Sequence, residues 1–85
     1  MNIKEFETFI KERDEMIIHF MKTGDIEPAI RYWKKYNPEM PLPSSDTAIK
    51  AGLYKCVCNM TNMPEKYKQK ARFMLKLLGM SENFY

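Results

Sequence analysis

Apolar residues recur at three- and four-residue intervals along most of this chain, the spacing of one face of an α-helix. Ile3, Phe6, Ile10, Ile17 and Met21 make the first stripe, with Phe9 and Phe20 on its flank. Asn2 precedes Glu5 by three positions, the arrangement of a capping box, and Gly24 follows as a stop. The spacing therefore predicts a first helix from Ile3 to Thr23. Asp25 is placed to cap a second helix in which Ile26, Ala29, Ile30 and Trp33 share a face. Pro28 fits only in its first turn, where a missing N–H costs nothing, and the helix runs to about Tyr36. A link this short predicts antiparallel packing of the pair.

Residues 37–45, Asn-Pro-Glu-Met-Pro-Leu-Pro-Ser-Ser, hold three prolines, each of which biases its predecessor away from the helical region. They predict an extended connector that lays Met40 and Leu42 across the helices it passes. Ser44, Ser45 or Asp46 then caps a third helix with Ile49, Leu53, Cys56, Val57 and Met60 on one stripe. Gly52 at the edge of that stripe predicts a close helix–helix approach. Asn62 and Glu65 repeat the capping-box spacing around Pro64. In the fourth helix Tyr67, Ala71, Met74, Leu75 and Leu78 face inward until Gly79 ends it, and Phe84 and Tyr85 in the tail either fold back onto the core or fray.

The expected fold is all-α: a single helical domain over residues 1–85, two helical hairpins joined by the proline-rich connector. Its expected centre is Phe6, Ile10, Ile17, Ile30, Trp33, Leu53, Val57, Tyr67, Met74 and Leu78. The run "TGDIEPAIRYWKKYNPEMP" is similar to part of a tetratricopeptide unit, but no such period recurs, and that architecture needs several stacked units.

Composition narrows the class. The chain has 85 residues, 45% hydrophobic and 29% charged, with three glycines, the vocabulary of a helical globular protein. No apolar run reaches spanning length, and the N-terminus does not read as a signal peptide. The expectation is a cytoplasmic protein with reduced thiols and no membrane partner. Net charge is +3, unevenly spread: residues 1–49 carry seven basic and nine acidic groups, residues 50–85 seven basic and two acidic. That asymmetry points to an acidic or polyanionic partner.

Explicit chemistry is scarce. "LYKCVCNMTNM" places two cysteines and two methionines within eight positions, as a soft-metal site would. Residues two apart on a helix diverge by about 200°, so Cys56 and Cys58 cannot share an ion without unwinding. Cys56 reads as a small core residue and Cys58 as a surface or interface thiol. His19 lies opposite the first stripe and reads as a surface histidine without a partner; no nucleophile–base arrangement accompanies it. Arg13 and Asp14 snorkel from the margins of that stripe. The sequence predicts no catalytic residue, no metal and no cofactor, hence a non-enzyme.

The candidate contacts are basic. Lys68, Gln69, Arg72 and Lys76 fall on the outer face of the fourth helix, with Lys50 and Lys55 available from the third. Such a set suits a helix-turn-helix reader, with Arg and Gln on base edges and lysines on phosphates. It equally suits an acidic protein. Tyr32, Tyr36, Tyr54 and Tyr85 read as spare exposed aromatics for a protein interface. A leftover apolar stripe would also permit a homodimer.

The stretch "LPSSDTAIKAGLYKCVCNMTNMPEKYKQKARFMLKLLGMS" combines a proline-rich lead-in, Ala48-Ile49-Lys50-Ala51, a Pro64 start, basic residues and a closing Leu78-Gly79. This layout, about half the chain, resembles small accessory proteins of phages and prophages. The resemblance implies a host-takeover, counter-defence or regulatory role exerted through binding, and it carries no catalytic residues over.

Overall fold

The computed structural model describes residues 2–81, and among them finds four α-helices and no strand. These are α1 (Ile3–Thr23), α2 (Glu27–Tyr36), α3 (Asp46–Cys58) and α4 (Glu65–Leu77). The chain divides between Leu42 and Pro43 into two helical hairpins, α1–α2 and α3–α4. Phe84 and Tyr85, and with them the expected tail packing, lie outside the described residues.

Local signals fix the ends of α1. Asn2 accepts the Glu5 N–H at 2.8 Å, and the Glu5 carboxylate accepts the Asn2 N–H at 3.4 Å, closing the capping box. At the other end Gly24 takes a left-handed conformation (φ 76°) and donates its N–H to the Phe20 carbonyl at 2.8 Å. Asp25 is not the cap of α2, as expected from sequence; Ile26 occupies that position. From one residue further out the Asp25 carboxylate still accepts the Glu27 N–H at 3.0 Å, so it satisfies one of the helix's orphan donors.

The rotation and register of α2 on α1 come from one cluster. Phe9 meets the Tyr36 ring edge-on at 4.8 Å and the Tyr32 ring at 5.6 Å, and the two tyrosines are 4.8 Å apart. Tyr32 donates its hydroxyl to the Phe9 carbonyl at 3.4 Å. Glu12 accepts from Lys35 Nζ and from the Tyr36 hydroxyl, both at 2.8 Å. These bonds, the lysine's first, hold the Glu12 carboxyl below its ordinary value of 4.5. Burial pushes the Tyr32 hydroxyl up to about 12, and burial followed by the bond to Glu12 raises that of Tyr36. Both tyrosines are half-buried in this cluster, not spare on the surface.

Tyr36 closes α2 and sits level with Phe9 and Glu12, so the first turns of α1 run on past the end of its partner. Ile3 is consequently 80% and Phe6 54% exposed. Phe6 is therefore not a core residue: the stripe continues, but the helix beneath it stops. Ile17, Phe20 and Met21, toward the other end of α1, are buried. In the connector Trp33 Nε1 donates to the Met40 carbonyl at 3.1 Å. The Met40 side chain itself stays exposed and does not lie across the helices.

In the second hairpin Ser45 is the cap of α3, accepting the Ala48 N–H at 3.1 Å. Met60 lies beyond the end of α3 and cannot extend its stripe. The expected Asn62–Glu65 box does not form, because Pro64 itself holds the cap position of α4 and Asn62 is two residues too early. Gly79 (φ 70°) ends α4: it donates to the Lys76 carbonyl while Met80 donates to that of Leu75, the paired bonds of a Schellman motif. Ala51, Leu53, Tyr54, Val57, Met63, Ala71 and Leu75 are buried here. Tyr54, expected outside, is thus inside, and Leu78, expected central, is 39% exposed just past the last helical residue. Nothing lies within 4 Å of a Cβ added to Gly52, so no close approach explains it.

Three outcomes follow from this packing. Gly52→Ala should raise the unfolding free energy by about 1 kcal/mol, the helix-propensity difference, in urea titrations; a loss would mean that this face is occupied. Leu75→Ala should cost about 2–5 kcal/mol, whereas Leu77→Ala should stay within about 0.5 kcal/mol; equal costs would contradict the assigned faces. Glu12 titrates lower in the folded chain, so its contribution is present above pH 4.5 and drains as pH falls through the lowered value. The thermal midpoint of the native protein should therefore fall more steeply below pH 4.5 than that of Glu12→Gln, and parallel curves would exclude this pairing.

Candidate partner-binding surface on the second hairpin

The burial of Ala71 and Leu75 sets the rotation of α4. Side chains four apart stack along a helix, so Lys68, Arg72 and Lys76 form one row with Gln69 beside it. The structure thus brings four of the six expected contacts onto one face. Gln69, Arg72 and Lys76 are exposed, and Lys68 is half-buried. Arg72 reaches back to the Glu65 carboxylate at 3.0 Å, a pair exposed enough to exchange for a ligand at little cost. Lys50 and Lys55 are half-buried on α3. Five positions apart, they diverge by about 140°, so they do not extend one surface together.

The spacing reading passes over a second feature of the same helix. Phe73 is 61% and Leu77 65% exposed, with Met80 at 43% beyond the helix end. Lys66, Lys70, Phe73 and Leu77 follow one another at helical spacing, so a basic line becomes an apolar one toward the C-terminus of α4. The signal was available: Phe73 lies two positions from both Ala71 and Leu75, which turns it away from them.

A helix-turn-helix reading fits this geometry less well. Six residues, Asn59 to Pro64, separate α3 from α4, against the three or four of that motif. The first turn of α4, where a recognition helix reads bases, carries Glu65.

The remaining candidates sit as follows. Cys56 and Cys58 are both half-buried and form no disulfide. Among the described residues no cluster of three or more His, Cys, Asp or Glu could hold a metal ion. His19 does have a partner: its Nε2 lies 3.3 Å from an Asp25 carboxylate oxygen. Asp25 is held below its ordinary value by the Glu27 N–H first and by His19 second. Arg13 and Asp14, half-buried, pair with each other at 3.1 Å. Glu12, His19, Arg31, Tyr32 and Lys35 border an open groove of about 420 Å³ between α1 and α2. There Glu12 is engaged by Lys35 and Tyr36, and His19 by Asp25. No helix among the described residues is long and apolar enough to cross a membrane.

Compared with protein-family models, with curated proteins and with solved structures, the chain matches none.

Proposed function

We propose that this is a cytoplasmic, non-enzymatic interaction module that takes an acidic, amphipathic segment of a partner protein on α4. The observation that carries the reading is the junction of the Lys68–Arg72–Lys76 row with the exposed Phe73 and Leu77. Apolar side chains bordered by one sign of charge are what a docking surface presents: desolvation supplies affinity and the charges supply orientation and partner choice. The resemblance of the second half to phage and prophage accessory proteins supports a setting of host takeover, counter-defence or regulation. The second reading is nucleic-acid binding through Lys68, Gln69, Arg72 and Lys76, favoured by the row itself. It leaves Phe73 and Leu77 without a role.

Two double variants separate the readings, each first checked for native helical content. In capture from a host lysate, both Phe73→Asp/Leu77→Asp and Lys68→Glu/Arg72→Glu should lose the captured protein at least tenfold. In titrations of labelled duplex and single-stranded DNA, the native protein should show no binding at near-physiological salt. Salt-steep DNA binding abolished only by charge reversal would establish the second reading and overturn the first.

A further inference from the structure

Two exposed apolar strips lie on different hairpins, and their borders carry opposite charge. On α1, Ile3, Phe6 and Ile10 follow helical spacing, the first two exposed and Ile10 half-buried. Phe6 and Ile10 line an open groove bordered by Glu7, Glu15, Lys11 and Asp14, the last of these paired with Arg13. On α4, Phe73 and Leu77 with Met80 follow a similar spacing, bordered by Lys66, Lys70 and Lys76. The α1 strip spans eight positions, about 10 Å of helix, and the helical part of the α4 strip, Phe73 to Leu77, about 6 Å. One is an acid-edged amphipathic helix, and the other is the base-edged surface that such a helix would fit.

We infer that α4 also seats α1 of a second copy of this chain. The inference rests on the reading of α4 as a docking surface and adds this occupant to it. One patch meets a different patch, so an open assembly keeps one strip of each kind unpaired, one at each end. Repetition closes as a ring, a reciprocal two-fold pair included, or continues as an open chain. Charge at the borders sets the orientation and makes assembly sensitive to salt.

The test is sedimentation velocity of the full chain over a range of concentrations, at low and near-physiological salt. Phe6→Asp blocks the α1 strip and Leu77→Asp blocks the α4 strip; Ile3→Asp is a second α1 variant should Phe6→Asp lose helical content. The native chain should associate with concentration, and at least tenfold less readily at the higher salt. Each variant alone should be monomeric. An equimolar mixture of the two should stop at a dimer, because it retains one intact strip of each kind. A native chain that stays monomeric at every concentration overturns the inference. So does a Leu77→Asp variant that still dimerises, which would mean that α1 pairs with α1, or a mixture that does not associate. The α4 reading itself falls separately, if the Phe73→Asp/Leu77→Asp variant captures its partner undiminished whatever the oligomeric state.

Discussion

The Glu12 carboxylate, gripped by Lys35 and Tyr36 beneath the Phe9–Tyr32–Tyr36 ring cluster, fixes where α2 lies along α1. A helix of 10 residues beside one of 21 can cover only part of it. Because the cluster anchors the last residue of α2 at the level of Phe9, the uncovered part is the N-terminal end of α1. Ile3 and Phe6 are exposed as a consequence of that register. The contact combines ring packing with a charge-assisted bond, so it specifies a position and not merely adhesion.

In the second hairpin the constraint is rotational. Ala71 and Leu75 bury one side of α4, and any large apolar residue two positions from them must face outward. Phe73 is such a residue, and Leu77 follows it one turn on. The same rotation lines up Lys68, Arg72 and Lys76. Basic row and apolar strip are therefore two results of one packing choice.

Features written in neighbouring residues were legible in the sequence. Asn2 with Glu5, Gly24, Pro28, Ser45 and Gly79 announce helix ends through backbone chemistry that acts within a few positions, and all four helices follow. Features that depend on a distant neighbour were not. The stripe through Phe6 is intact, but nothing local says that α2 stops before reaching it. Glu12 and Tyr36 are 24 positions apart, and neither is distinctive alone. Tyr54 looks like an amphipathic surface residue until the packing of the second hairpin buries it. The Asn62 box failed because Pro64 claims the cap position, a competition between two local signals. Of the candidate contacts, the row on α4 was readable from its four-residue spacing, while the apolar strip beside it needed the rotation set by Ala71 and Leu75.

The proposed mode of action is binding through the apolar surface that each hairpin leaves exposed. Amide spectra recorded on a dilution series of the isotope-labelled chain at low salt test it most directly, because they report residue by residue. Shifts and broadening should grow with concentration and map to residues 3–15 and 66–80, while Ala51, Val57 and the buried end of α1 stay unchanged. Changes confined to other residues, or none across the series, would contradict it.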